Sequence, residues 1–485
     1  MTLKRLRRSL LLLSIFLIGL SWWGITFARS GLVVRSFERE TIPLVYLAPQ
    51  QAKAAPGVLI AHGYAGSKQL MLGYGHVLAR AGYAVMLWDF NGHGANPNSL
   101  EGYQLKQNLN VALDALLEQP EVDRSRLALL GHSMGSGIVM SAGIEQVDRF
   151  AATIAVSPTG ASITPQAPHN LQLQAGSWEG RFISNAQRLL AAGGETNANF
   201  AAGTARELVV VPNVEHITIL FSDVSHQAAL RWLNGTFNQS SSSDYVDRRM
   251  GWYGLHLLGW LLLLASIAPS IATWIETDGM KIHSAKRWGG LLLAPIAGAI
   301  ALILLARSIQ VQSLGGVQVG GAVGVWFVVA GVTWLALLAR LPRPTFRTVG
   351  LGLILFAFLW MAFGAMAQVV WLQWWLIPTR LKLWLPLSAA CLPWFLASGI
   401  AQQGSGRGER VGWWFAQSAI LIGGFLLTLN FLPQLGFMFL LLPLFPPLIA
   451  VLSMVVALID EAWISAIASA LFFGWILAAG FPLSS

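Results

Sequence analysis

Apolar positions along this chain follow two regimes. Ser9 to Ala28 are twenty residues without a charge behind the basic run Lys4-Arg5-Leu6-Arg7-Arg8, and a helix of about 20 residues crosses a bilayer core. From about Ser30 to Phe237 the pattern is that of a globular domain, with short β-branched runs, periodic helices and polar loops. Beyond Arg249 apolar stretches return near 251–274, 289–306, 316–339, 349–374, 383–400, 412–432, 436–458 and 463–482, which predicts about eight further spans. The prolines between Leu432 and Pro447 are compatible with a broken or re-entrant helix there.

The expected organisation is a basic end and anchor over 1–29, a soluble domain over 30–237, a serine-rich linker over 238–249 and a membrane domain over 250–485. A leader cleaved after Thr26-Phe27-Ala28 is the alternative for the first segment, whose apolar stretch exceeds the roughly 7–15-residue core of a leader. The linker, serine-rich from Asn238 to Tyr245, reads as flexible coil.

Composition sharpens this picture. Hydrophobic residues make up 55% and charged residues only 11%, so much of the chain faces lipid. The net charge of +9 raises the question of nucleic acid, but the cations cluster beside apolar stretches and form no basic stripe with interleaved aromatics, so no nucleic-acid partner is expected. With the amino terminus inside, the inner loops hold Lys281, Lys286, Arg287, Arg340, Arg343, Arg347, Arg407 and Arg410, against Arg307, Arg380 and Lys382 in short outer loops. Arg29, Arg35, Arg248 and Arg249 weaken the asymmetry, but the balance places the soluble domain on the extracytoplasmic side. The single cysteine, Cys391, excludes a disulfide framework. The spans carry few ionisable residues, so ion transport is not indicated.

Chemistry concentrates at Gly131-His132-Ser133-Met134-Gly135, which lies between an apolar run from Arg126 and a helical pattern. Strand, tight turn and helix hold Ser133 out from a sheet edge, at a helix amino terminus that favours developing negative charge. Gly131 and Gly135 leave room for the close backbone approach of such a turn. G-x-S-x-G alone is common. Its context is what counts: Gly57 to Ala61 reads as a buried strand ending in His62-Gly63-Tyr64, followed by a helix ending near Gly82 and a strand from Tyr83 to Phe90. Alternating buried strands and helices imply α/β architecture with a mostly parallel, doubly wound sheet.

The region from Val33 to Trp232 resembles the α/β-hydrolases, in the style of the dienelactone-hydrolase, serine-aminopeptidase and prolyl-oligopeptidase catalytic domains. Three motifs carry the resemblance: His62-Gly63-Tyr64, Asp89-Phe90-Asn91-Gly92-His93-Gly94, and the elbow at Ser133. It implies an oxyanion hole from the backbone N–H groups of Tyr64 and Met134. It also implies an acid and then a base downstream of Ser133. The base is expected at His216, in the loop after the strand Leu208 to Val211 and before a helix from His226 to Leu233. His226 is the rival, read as a surface residue after an N-cap at Ser225, and His169 would break the order. The acid is expected at Glu179, where the family commonly has Gly-x-x-Asp and this chain has Gly176-Ser177-Trp178-Glu179; Glu195, Glu207 and Glu215 are the fallbacks.

His62 and His93 are expected to support loop backbone and Asp89 to fix its loop, with no metal site and no cofactor. Only a short loop separates Ser157 from Leu171, too little for a large cap, so an open site is expected. The expected protein is a membrane-integral serine hydrolase of carboxylic esters, lipid esters included, whose partners are its small-molecule or lipid substrate and membrane lipid. Peptide or amide cleavage, acyl transfer, and a silent hydrolase-like sensor module are the alternatives.

Overall fold

Every residue of the strand Ala55–Ala61 is buried, the mark of a strand covered on both faces. The computed structural model describes residues 3–240, 244–272 and 283–484. Lys281 and the serines 241–243 of the linker lie outside the described residues. Cα proximity divides the chain into two units, residues 19–255 with 366–374, and the remainder.

In the first unit, β1 (Leu32–Arg39), β2 (Ile42–Pro49), β3 (Ala55–Ala61), β4 (Ala84–Trp88), β5 (Val122–His132), β6 (Ala152–Val156), β7 (Leu171–Gly176) and β8 (Arg206–Val211) form one sheet in the order 1-2-4-3-5-6-7-8. The pair β1–β2 and the pair β2–β4 are antiparallel, and all other neighbours are parallel. Alternation along β3 splits the core: Val58 and Ile60 join Val77 and Leu230 on one face, whereas Leu59 and Ala61 join Leu109 and Val139 on the other, as the two-residue strand period requires. The first helix of the chain, α1 (Leu3–Ala28), precedes this sheet. The helices within it are α2 (Leu72–Arg80), α3 (Leu105–Leu117), α4 (Met134–Glu145), α5 (Gly180–Gly193) and α6 (Asp223–Phe237).

Strand order reverses around β3, because β4 lies on one side of it and β5 on the other. In open α/β sheets the crevice at such a reversal, outside the carboxyl ends of the strands, is where ligands bind. The two strands concerned end at His62-Gly63-Tyr64 and at Ser133.

One expectation is corrected in this unit. The last helix begins at Asp223, with Ser222 as its N-cap, so Ser225 lies inside the first turn and bonds Tyr74 and Gln174. His226 is therefore not a surface residue: it is 1% exposed and its Nε2 lies 2.9 Å from the carbonyl of Leu220. Just beyond the serine-rich stretch Asn238 to Tyr245 the chain is anchored by a buried pair. Asp247 and Arg249 form an ion pair at 2.7 Å with both side chains 3% exposed, and the charged partner holds the Asp247 carboxyl well below the usual range against its burial.

The second unit is helical. Its elements, some of which extend into the first, are α7 (Arg249–Ala272), α8 (Ser284–Leu305), α9 (Gly320–Leu338), α10 (Phe346–Val370), α11 (Pro378–Gln402), α12 (Arg407–Phe431), α13 (Phe445–Ile459) and α14 (Ala462–Gly480). A 3-10 stretch, Pro433–Leu444, leads into α13, where proline withdraws backbone donors. Among the described residues nine helices are long and apolar enough to cross a membrane, α1 included, as a multi-pass membrane protein requires. Small residues set their spacing: a side chain at Gly331 would strike the α11 backbone at Pro393 and Trp394, and one at Gly474 would strike Ser388. Arg380, expected in an outer loop, is 1% exposed and donates to the carbonyls of Ala478 and Phe481 at 2.6 and 2.7 Å. It satisfies acceptors that the end of α14 leaves open.

Candidate active site

The path from sequence to site begins with a backbone angle. Ser133 links β5 to α4 at φ 51°, ψ −118°, a conformation that costs a non-glycine residue about 1–3 kcal/mol. The surrounding structure enforces it. The Ser133 N–H donates to the Val156 carbonyl at 2.9 Å, and the glycines let backbone close in. A Cβ at Gly135 would lie 2.5 Å from the His62 carbonyl oxygen, and one at Gly131 would overlap the Gly135 carbonyl.

His216 follows β8, in the loop that leads to α6. Its Nε2 lies 3.0 Å from Ser133 Oγ, and its Nδ1 lies 2.7 Å from Glu179 Oε1. The structure thus brings Ser133, His216 and Glu179 into one hydrogen-bonded line. The Glu179 side chain is 2% exposed and that of His216 is 19% exposed, so the carboxylate is shielded while the imidazole stays within reach of solvent.

Glu179 is held from its other oxygen. Oε2 accepts from the Gly176 N–H at 2.6 Å and from Ser157 Oγ at 2.9 Å. A Cβ at Gly176 would lie 2.4 Å from the Val214 carbonyl oxygen and 3.0 Å from Glu179 Oε2, so the glycine admits both the neighbouring backbone and a glutamate folded back over its own turn. The longer stem is accommodated by this curl.

The loop His62-Gly63-Tyr64 has its own support. Phe90 N–H donates to His62 Nε2 at 3.1 Å, so the proton of the neutral ring is on Nδ1, which donates to the Gly63 carbonyl at 2.7 Å. Because C=O and N–H of a trans peptide point in opposite directions, pinning the Gly63 oxygen aims the Tyr64 N–H the other way. Gly63 packs against the elbow, where a Cβ would lie 3.1 Å from Ser133 Cβ. Met134 opens α4, so its N–H has no intrahelical acceptor. Asp89 accepts from the backbone of Lys68 and of Ala95 at 2.7 and 2.9 Å and pairs with the Lys68 ammonium, tying the loops after β3 and β4 together. His93 Nδ1 lies 2.9 Å from the Asn91 carbonyl.

The fallback carboxylates lie elsewhere. Glu215 accepts from the backbone of Ile217 and Thr218, and Glu207 accepts from Gln172. Among the described residues no group of three or more His, Cys, Asp or Glu side chains converges as a metal site. Four further residues support this arrangement. Ser157 and Gly176 seat the acid, Phe182 stacks on the His216 ring at 4.5 Å, and His132 Nε2 lies 2.9 Å from the His216 carbonyl. Only Gly176 carried a signal, its fixed spacing from Glu179.

Burial lowers the pKa of His62, His132 and His226, and takes that of His76 to about 3. In the unfolded chain these rings titrate at about pH 6.5. Below that pH the unfolded state binds more protons, so stability falls as pH falls. The melting temperature of the full chain is expected to be level above about pH 7 and to drop steadily from about pH 6.5 to about pH 4.5; a flat or rising profile over that range would contradict the neutral assignment.

With this geometry in place, comparison with known proteins is informative over part of the chain. Residues 52–221 match the family described as serine aminopeptidase, S33. Epoxide hydrolase A of Mycobacterium tuberculosis is 34% identical over 108 residues, 21% of this chain and 32% of that one. Cutinase 2 of Thermobifida cellulosilytica is 30% identical over 110 residues, 21% of this chain and 40% of that one. The chain spans about a third of the length of the first curated relatives it matches. A solved membrane phospholipase A aligns with a TM-score of 0.36 and 14% identity, covering 46% of this chain and 93% of that one. The matched residues hold His62-Gly63-Tyr64, the turn at Ser133, Glu179 and His216, and over them this chain is similar to the α/β-hydrolases.

Proposed function

We propose that this protein is a membrane-integral serine hydrolase that cleaves carboxylic esters, lipid esters among them, through an acyl-enzyme on Ser133. One observation carries the reading: Ser133 Oγ, His216 and Glu179 lie in a single hydrogen-bonded line at 3.0 and 2.7 Å. In the ground state His216 holds its proton on Nδ1, facing Glu179, and offers the Nε2 lone pair to Ser133. As Oγ attacks the ester carbonyl, its proton moves to Nε2, and the imidazolium is stabilised by the carboxylate. The carbonyl oxygen gains negative charge between the N–H groups of Tyr64 and Met134, which together contribute several kcal/mol. Nε2 then protonates the departing alkoxide, and a water activated by the same nitrogen releases the acid.

A fluorophosphonate probe tests the mechanism on the full chain. Wild type is expected to label and Ser133→Ala to remain unlabelled; an unlabelled wild type would favour a silent binding module. The match to an aminopeptidase family supports peptide cleavage as the second reading. A panel of aryl esters, diacyl lipids and amino-terminal peptide substrates separates the two, and faster turnover of peptides would overturn the ester assignment.

The cationic residues flanking the spans support an extracytoplasmic hydrolase domain. Cys391 is the only cysteine and is fully buried, so Lys53→Cys at an exposed turn supplies a clean reporter. Labelling of intact cells by a membrane-impermeant maleimide is expected, and labelling only after lysis would reverse the orientation.

A further inference from the structure

A cavity of about 320 Å³ lies within the first unit, away from Ser133 and His216. That volume lies within the range of small-molecule sites. Val34, Leu44, Val45 and Leu47 of β1 and β2 form an apolar wall. Arg29, Lys68, Gln69 and His76 are among the polar side chains that line it, and no carboxylate does among the described residues.

Two of these polar side chains are under-satisfied. His76 is 1% exposed, and its Nδ1 lies 2.8 Å from the Leu72 carbonyl, which only a donor can satisfy. The ring is neutral, so Nε2 is a bare acceptor, and it has no partner. Gln69 is 6% exposed; its Nε2 donates to Gln373 Oε1 at 2.6 Å, while its own Oε1 has no partner. Buried acceptors without partners are costly, and an occupant bearing hydroxyl donors removes that cost. Lys68 is already paired with Asp89. Arg29 has no acidic ion-pair partner among the described residues, which leaves an excess of positive charge for an anion.

The lining also indicates depth. Arg29 is the first residue after α1, and Gln368 lies in the last turn of α10. Counting alternate spans, α1 and α10 are the first and fifth, so both end at the same face of the bilayer, where headgroups lie. We propose that this cavity binds an anionic, hydroxyl-bearing headgroup of the glycerophosphate type, with Arg29 holding the anion, His76 and Gln69 accepting from the hydroxyls, and the β1–β2 wall covering the first methylenes.

The test uses the full chain carrying Ser133→Ala, so that binding is read without turnover and independently of the hydrolase assignment. Protein in detergent is incubated with vesicles of dioleoylphosphatidylglycerol or of dioleoylphosphatidylcholine, and retained lipid is counted by native mass spectrometry. Phosphatidylglycerol is expected to be retained about tenfold better, and Arg29→Gln to remove about tenfold of that retention. Ser36→Trp, at an exposed rim position, is expected to block entry without removing a buried partner. sn-Glycerol 3-phosphate alone is the second arm: if it raises the melting temperature and displaces the lipid, a free anion is the occupant, whereas no effect assigns the lipid. Equal retention of both lipids, or retention unchanged in both variants, overturns the site.

Discussion

Ser133→Ala is expected to lower ester turnover by about 10⁴-fold or more, and His216→Ala by a similar factor, while the double variant loses no more than either alone. The nucleophile and its base act in one step: without Nε2 at 3.0 Å the hydroxyl keeps its proton, and without the hydroxyl the base has nothing to activate. The oxyanion donors remain in either variant, so a small residual rate over water is expected. Steady-state kcat and KM with an aryl ester, measured on the full chain, provide the readout. A Ser133→Ala protein that keeps a tenth of wild-type kcat would remove Ser133 from the chemistry, and losses that multiply in the double variant would show that the two do not act together.

Glu179→Gln is expected to cost about 10³- to 10⁴-fold in kcat with little change in KM. Its two oxygens are all used as acceptors: Oε1 from His216, Oε2 from the Gly176 N–H and Ser157. An amide converts one of those positions to a donor. Facing His216, it forces the proton onto Nε2, the tautomer that cannot accept from serine; facing Gly176, it sets N–H against N–H in a buried turn. Glu179→Asp is expected to fall between the two, because a stem one methylene shorter cannot curl over Gly176 to reach both partners. An unchanged kcat in Glu179→Gln would mean that another group orients the base.

Much of this architecture was legible because it is encoded over short distances. The fold class followed from runs such as Gly57 to Ala61, whose continuous apolarity only a strand covered on both faces needs, and the elbow followed from glycines two positions either side of Ser133. The helices long and apolar enough to cross a membrane followed from length and composition, which local sequence encodes directly. The spacing Gly176 to Glu179 marked a carboxylate at the end of β7, although it did not say how a glutamate would fit there.

Where the structure departs from the sequence pattern, a neighbour distant along the chain is responsible. His226 looked like a surface residue because Ser225 resembles an N-cap, but the helix begins at Asp223, and the first turn faces β7, where Gln174 takes the serine hydroxyl. Ser157 and His132 are invisible as site residues for the same reason, since each acts through one contact across the sheet's carboxyl edge.

The sequence by itself determined the fold class, the long apolar helices, the tight turn at Ser133 and the chain order of the candidates Ser133, Glu179 and His216, because hydrophobic period, helix length and glycine placement act between near neighbours. Only the tertiary structure decided that Glu179, among four candidate carboxylates, stands 2.7 Å from His216, that Gly176 and Ser157 seat it, and that Arg29, Gln69 and His76 line one cavity. Those outcomes depend on which loops the parallel crossovers bring to one edge of the sheet, and hydrogen bonds across such an edge leave no periodicity in the chain.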